Sequence, residues 1–377
     1  MSNRWKVTLL MSFRMFFLIC TCIGMVGTAL SWLMYRTGLA FLRPYWTLAL
    51  CLAGPAIFGF SNIFLNLLPI RLTRILAWIG GVWMGFIFYS FLFLAVFAAL
   101  YLLGRIAGWP ALAPAASTVI LGVVILVTGL GVWQVLHPNV RRYTLRTYKP
   151  ISRPYRLVFV SDIHFGTLFG VSHGVRLASL VNREDPDLVI IGGDIVDRDL
   201  DFVLREGSLT TLRHMKAPMG IFSVIGNHDL ANGTGGQERM YLEKLGIHFL
   251  INDSIPLNQD IWMTGLDDYR FGKRDYDFHV TEKDKLNLLV EHEPMHILEA
   301  SQKGFDIYLA GHTHGGQTIP LNLVIRQMFL QEYGTRPWGN MLTTVTSGFG
   351  LSAMPLRLGV PPEIVSITVE PASQKKK

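Results

Sequence analysis

The sequence predicts a layered α/β domain preceded by an α-helical, four-span transmembrane region. Three observations carry that expectation. Long apolar stretches are confined to the first half, the charge changes sign at Asp162, and short apolar runs in the second half end repeatedly in Asp, His, Asn and Gly. A chain of 377 residues has room for two or three domains.

The formal net charge of +7 conceals the asymmetry. No Asp or Glu precedes Asp162 and 14 of the 34 basic residues do, so the first part carries +14; the remainder, with 20 basic against 27 acidic residues, carries −7. The stretches Phe16–Leu33, Trp46–Leu68, Ile75–Leu103 and Ala115–Leu136 are each long enough to cross a bilayer, which takes about 20 residues. No small-residue cleavage site follows the first, which argues against a signal peptide. Trp5, Trp32, Trp46, Trp78, Trp109 and Trp133 fall near the expected span ends, as interfacial aromatics do. Arg4, Lys6, Arg14, Arg71, Arg74 and the run from Arg141 to Arg156 lie on one side, against Arg36, Arg43 and Arg105 on the other. The positive-inside rule then places both termini in the cytoplasm, with the chain in the cell inner membrane.

The spans contain no acid, which favours an anchor over a transporter or channel. Cys20, Cys22 and Cys51 all fall inside spans and read as packing residues, neither disulfides nor metal ligands. Asn62 and Asn66 are expected to pair between helices, and Gly54-Pro55 to kink the second span.

From Pro154 onward the pattern becomes strand-like: "YRLVFVSDIH", "PDLVIIGGDIVD", "MGIFSVIGNHD", "IWMTGLDD", "LNLLVEHEP" and "FDIYLAGHTH". Taken singly, each polar cluster has a plain structural reading as a strand end, a helix cap or a turn. Five of them placed just after apolar strands point to one shared site at a sheet edge. Carboxylate, amide and imidazole groups without cysteine suit Mn, Fe or Zn. Two Asp, one Asn and four His suffice for two ions sharing a carboxylate, an arrangement that activates water and neutralises phosphoryl charge.

The blocks D-x-H (Asp162, His164), G-D-x-x-D (Gly193, Asp194, Asp197), G-N-H-D (Gly226 to Asp229), a lone His292 after a strand, and G-H-x-H (Gly311 to His314) occur in that order. This set resembles the calcineurin-like metallophosphoesterases from about Tyr155 to Glu370. The stretches "GHTHGGQ" and "PLRLGVPPEI" look like the bacterial membrane-associated branch of that superfamily. The resemblance implies a four-layer αββα sandwich and a metal-dependent phosphoric ester hydrolase. It implies that Asp162, His164 and His314 hold one metal, that Asn227, His292 and His312 hold the other, and that Asp194 bridges both. His228 would contact the phosphate and assist the leaving oxygen as a general acid, oriented by Asp197.

Other assignments stay open at this level. Arg198 and Asp268 are candidate substrate-binding residues; the alternatives are a solvated Arg198, and a turn-capping role for Asp268 with Asp267. His296 competes with His292, and the strand-end position favours His292. Asp229 reads as a turn-fixing residue. His137, His173, His214, His248 and His279 match no block.

The expected layout is a four-helix transmembrane anchor at 1–140, a basic juxtamembrane linker at 141–154 suited to anionic headgroups, a calcineurin-like phosphoesterase domain at 155–370, and a disordered basic tail at 371–377. Related family members include pyrophosphohydrolases that cleave UDP-2,3-diacylglucosamine. After His314, Leu321, Val324, Ile325, Met328 and Phe329 recur at near-helical spacing. That segment is either a hydrophobic lid or membrane-dipping helix, or a helix packed on the domain's own sheet. The expected function is therefore a membrane-anchored, dinuclear-metal hydrolase of phosphodiester or pyrophosphate bonds, with amphiphilic substrates such as that lipid favoured. The alternatives are an anchored phosphatase for soluble nucleotides or phosphoproteins, and a non-catalytic sensor or transporter. The acidic second half lacks the basic groove expected of a nucleic-acid partner.

Overall fold

The computed structural model describes residues 3–108, 115–231, 233–273, 276–351 and 353–372. Trp109 and most of the expected basic tail, 371–377, lie outside the described residues. By packing, the chain forms two units: a helical one of Val7–Leu136 with Ala353–Leu358, and a mixed α/β one built on His137–Ser352 and Gly359–Lys377.

The helical unit contains α1 (Asn3–Gly38), α2 (Trp46–Ile63), α3 (Ile70–Ile106) and α4 (Ala115–Val135), and each includes a stretch long and apolar enough to cross a membrane. Lipid tails offer no hydrophobic drive for helix association, so small residues that allow close backbone approach hold such bundles together. A Cβ on Gly54 of α2 would lie 2.2 Å from the Trp83 ring of α3, and one on Gly80 of α3 would lie 2.5 Å from the Phe58 backbone. Gly54 thus makes room for Trp83, and α2 runs through Pro55 as one helix. Because α2 ends at Ile63, Asn66 lies beyond it; Asn62 donates instead to Phe58 O in its own helix, at 2.8 Å. An amide that reaches its own i−4 carbonyl satisfies one of its donors locally. The three cysteines are unpaired with one another, and Cys22 is exposed.

The segment Ala353–Leu358 fills the space left by three glycines. A Cβ on Gly81 would come 2.5 Å from Pro355, and one on Gly85 or Gly131 would come 2.4 or 2.6 Å from Leu356. Leu356 is fully buried with Tyr89 and Val124, and Arg357 N donates to Gly131 O at 3.1 Å.

The α/β unit has two six-stranded sheets. The first contains β1 (Asn139–Thr147), β2 (Tyr155–Val160), β3 (Leu188–Ile191), β4 (Ile221–Ser223), β5 (Ile247–Phe249) and β12 (Glu363–Pro371), in the order β1-β12-β2-β3-β4-β5. The second contains β6 (Asp253–Pro256), β7 (Ile261–Gly265), β8 (Leu286–Val290), β9 (Ile307–Ala310), β10 (Gly334–Trp338) and β11 (Met341–Val345), in the order β10-β11-β9-β8-β7-β6. Helices α5 (Val171–Arg183), α6 (Leu200–Glu206), α7 (Asn227–Ala231) and α8 (Gly235–Lys244) follow strands of the first sheet, while α9 (Ile297–Lys303) and α10 (Leu321–Met328) belong to the second half of the unit.

Period-two alternation distributes these strands between three cores. Leu157, Phe159, Leu188 and Ile190 point between the sheets, where they meet Leu288, Val290, Ile307 and Leu309. Val158, Val160, Val189 and Ile191 point outward onto Leu177 and Val181 of α5. On the far side, Leu289 and Tyr308 meet Ile297 and Ala300 of α9. The result is a sandwich layered α, β, β, α, as the sequence implied.

Residues 141–154 are not a linker. Their first half belongs to β1, which pairs in parallel with β12 from Asn139↔Glu363 to Thr147↔Pro371. The basic side chains answer acids of the unit itself: Arg142 binds Glu184 through two bonds of 2.6 and 2.9 Å, Lys149 reaches Asp306 at 2.6 Å, and Arg153 reaches Asp187 at 2.7 Å. Arg141 adds a fourth pair with Glu363 at 3.6 Å; the charges on β1 blunt the open edge of the sheet, and four of the segment's cations are engaged by carboxylates rather than held ready for lipid headgroups.

Candidate metal centre

Parallel strands end their side-chain alternation at one edge, and the loops beyond β2, β3, β4, β8 and β9 converge there. Asp162 and His164 follow β2, Asp194 follows β3, Asn227 and His228 begin α7 after β4, His292 follows β8, and His312 and His314 follow β9. Five of these residues, Asp162, His164, Asp194, His312 and His314, have positive φ between 50° and 68°. The left-handed region is costly for residues with a Cβ, by about 1–3 kcal/mol each, and such strain concentrates at functional sites. The motif glycines serve the same crowding. A Cβ on Gly226 would lie 2.2 Å from Asp194 Oδ1, and one on Gly311 would lie 2.4 Å from Asp162 Oδ2.

Two acceptor-lined cradles result. In one, His164 Nε2 lies 3.2 Å from His314 Nε2, and Asp162 Oδ1 lies 3.8 and 3.6 Å from those two nitrogens. Asp162 Oδ1 is buried and finds no hydrogen-bond partner in the protein. His314 Nδ1 faces Ser347 O at 3.3 Å, which places the proton there and the lone pair on Nε2. In the other cradle, His292 Nδ1 donates to Gly192 O at 2.7 Å, so its Nε2 is also a lone pair. That nitrogen faces Asp194 Oδ2 and Asn227 Oδ1, each at 3.1 Å, and His312 Nδ1 at 3.3 Å. Acceptors converging on acceptors repel unless a cation or an added proton lies between them. The groups Asp162–His164–His314 and Asp194–His292–His312 each bring their ligand atoms within 4.8 Å of one another, so the residues fit metal ions.

The electrostatics agree. Positive charge is favoured between these acceptors: against burial, Asp194 raises the His292 imidazole well above its usual range, and His292 and His228 in turn hold the Asp194 carboxyl well below its own. His312 is lowered by burial and by the neighbouring His292. His228 sits beside the cradles: Nδ1 donates to Asp197 O at 2.6 Å and lies 3.3 Å from Asp197 Oδ1. Burial would lower its pKa, but Asp194 and Asp197 outweigh that and raise it to about 9. Asp197 is itself held well below the carboxylate range, against its burial, chiefly by Arg198, whose Nε lies 2.6 Å from Oδ2.

The remaining candidates sort clearly. Arg198 is a buried partner of Asp197, not a solvated surface residue. Asp268 is buried and its Oδ1 accepts from Arg270 N and Phe271 N at 3.0 and 2.8 Å, which makes it a turn cap. Asp267 caps the same loop through Asp268 N and Lys273 N. Asp229 ties the site's backbone together, accepting from the N–H groups of Asp194, Ile195, Val196 and Gly226. His296 pairs with Glu291 at 2.6 Å and takes no part in the cradles. His173 stacks on Phe169, and His248 lies tilted against Phe222 with ring centroids 5.3 Å apart. His279 Nδ1 faces Asp277 O, and Asn182 holds His214 through its carbonyl.

Two residues escaped the motif reading. Arg270 reaches Glu293 at 2.6 Å and His312 Nε2 at 3.1 Å, and Glu238 is buried beside Asp229. Arg270 follows "GLDDY" with no spacing rule to announce it; Glu238 is marked only by being an acid on the inner face of a short helix.

Residues 155–316 match the calcineurin-like phosphoesterase family. An uncharacterized metallophosphoesterase of Aquifex aeolicus is 27% identical over 246 residues, 62% of this chain and 92% of that protein. One from Helicobacter pylori is 29% identical over 233 residues, 59% of this chain and 62% of its own length. A Danio rerio transmembrane protein with a metallophosphoesterase domain is 31% identical over 237 residues, covering 58% of this chain and 53% of that protein. The matched segment thus spans less than two thirds of the latter two.

Proposed function

The chain belongs to the calcineurin-like metallophosphoesterases, and we propose that it is a membrane-anchored hydrolase using two divalent cations to cleave phosphodiester or pyrophosphate bonds of amphiphilic substrates. Asp162, His164 and His314 would hold one cation, Asn227, His292 and His312 would hold the other, and Asp194 would serve both. The observation that carries this reading is the pair of cradles, with Asp194 Oδ2 lying 3.8 Å from His164 Nε2 in the first and 3.1 Å from His292 Nε2 in the second, and the orphaned Asp162 Oδ1 in the first. Oxygen and nitrogen donors without sulfur suit Mn, Fe or Zn. Bound there, such ions supply Lewis-acid charge neutralisation and activation of water.

The protein's own groups supply the rest. Asp197 fixes the His228 ring through Nδ1, leaving Nε2 as the nitrogen through which this imidazole exchanges a proton. Water attacking phosphorus in line displaces an alkoxide or phosphate oxygen, and His228 gives that oxygen a proton as the bond breaks. Arg198 keeps Asp197 ionised and oriented, a supporting role, and we place it and Asp268 outside direct substrate contact.

The positive-inside pattern supports a cytoplasmic catalytic unit in an inner membrane. Anchoring supports a substrate confined to the same bilayer, and UDP-2,3-diacylglucosamine is the candidate to test first. Detergent-purified chain with Mn²⁺ should release UMP from it and cleave bis-p-nitrophenyl phosphate, with Asp194→Asn as blank. Cleavage of the aryl ester alone would retain the chemistry and exclude that lipid. Inactivity of the native chain on both, with metal loaded, would sink the reading.

A further inference from the structure

We propose that α10, with its flanks from Ile319 to Leu330, is an interfacial element that lies in the surface of the bilayer spanned by the chain's own helices. No residue of α10 is fully buried; Asn322 and Ile325 are half-buried, and the other apolar side chains of the helix face outward, so packing on the domain covers only one side of it. Ile319, Leu321, Leu323, Val324, Met328 and Leu330 are 38–64% exposed, a contiguous apolar surface of a kind that soluble proteins cover.

Three observations select a bilayer as the cover. First, the same chain carries four helices able to cross a membrane, so a bilayer always accompanies it. Second, the chain between these helices and the α/β unit is short. Only Leu136, His137 and Pro138 separate α4 from β1, a reach of roughly 10–15 Å including the bonds at each end. Gly359, which packs against Ile319, directly follows the Ala353–Leu358 segment that belongs to the helical unit. Third, from Gln317 to Gln331 the only charged side chain is the cationic Arg326. A short apolar helix with a cation and no acid suits an anionic lipid surface, which needs no shaped groove.

The segment is also tied to the site at both ends. Its entry abuts the turn after His314, where a Cβ on Gly316 would meet the Asn322 backbone at 2.3 Å. Its exit places Phe329 edge-on to His312, with ring centroids 6.0 Å apart. An interfacial α10 would therefore hold the cradles within reach of headgroups.

The test uses the full chain with Cys20, Cys22 and Cys51 replaced by serine, and Val324→Cys labelled with an environment-sensitive fluorophore in phosphatidylcholine–phosphatidylglycerol nanodiscs. Met240→Cys on α8, also exposed, is the aqueous reference. The label at 324 should emit to the blue of the reference and be quenched by lipids doxyl-labelled near the headgroup. Emission matching the reference overturns the proposal. A blue shift without lipid quenching also overturns it, in favour of cover by protein such as a second copy. In a second arm, Leu323→Asp with Val324→Asp should lose hydrolysis of a vesicle-borne phosphodiester while keeping that of a soluble aryl ester. The quenching readout requires no turnover, so its failure is distinct from failure of the proposed function.

Discussion

Single side chains decide the chemistry, and two substitutions separate holding the cations from transferring the proton. In Gly226→Ala the new methyl would sit 2.2 Å from Asp194 Oδ1, and the neighbour is a carboxylate fixed by His228 N at 2.8 Å. Something must shift at the residue shared by both cradles. The expected outcome is loss of metal in elemental analysis of the purified chain, with circular dichroism unchanged. His228→Ala should keep its metal and lose rate in proportion to leaving-group basicity. Alkyl phosphodiesters should slow by about 10²–10⁴, the usual contribution of general acid catalysis, whereas p-nitrophenyl esters should slow far less. An equal loss on both would remove His228 from the proton transfer. Asp197→Asn keeps the main-chain carbonyl that accepts from His228 Nδ1 and removes a carboxylate that also lies 3.5 Å from His164 Nδ1, so it should slow alkyl phosphodiesters less than His228→Ala does.

Among the elements, the turn after β3 and the start of α7 depend on one buried carboxylate. Asp229 accepts four backbone N–H groups, and Glu238 of α8 lies against it with its own carboxyl pushed well above the usual range by burial and by Asp229. Burial and the neighbouring carboxylate thus favour the neutral acid, and Glu238→Gln, neutral and of equal size, should cost less than about 1 kcal/mol in urea unfolding. Asp229→Ala strands several buried donors and should cost about 3 kcal/mol or more. Comparable costs for the two would show that Glu238 is ionised. These elements also show what the sequence could and could not reveal. The strand ends of the site were readable because every motif but the lone His292 groups ligand types within a few residues after an apolar run. The β1 strand was hidden by its charges: Arg141, Arg142 and Arg146 suggested a lipid-facing linker, while Val140, Tyr143 and Leu145 carried a weaker apolar alternation. Only partners distant in sequence, Glu363 for Arg141 and Glu184 for Arg142, convert those two cations into parts of the fold. Arg270 was invisible for the same reason, since its role depends on Glu293 and His312 meeting it across a loop.

At the scale of the whole molecule, the two halves of the sequence are not the two units of the structure. Ala353–Leu358 is separated from the spanning helices by the entire β2-to-β11 region, yet it packs with them. No local pattern marks this segment, because its fit is written in Gly81, Gly85 and Gly131 rather than in its own residues. Leu356→Ala in the full chain should empty a fully buried position and cost about 2–5 kcal/mol, seen as a lower melting temperature in detergent. A fragment beginning at His137 would retain Pro355, Leu356 and Leu358 without the helices that cover them. With the apolar face of α10 made polar by Leu323→Asp and Val324→Asp, that fragment should still associate or require detergent in size-exclusion chromatography, and adding Leu356→Ser with Leu358→Ser should return it to a monodisperse soluble form. If the fragment with only the α10 changes already runs monodisperse in buffer, the segment does not need its glycine cradle, and its place among the helices contributes little to the stability of either unit.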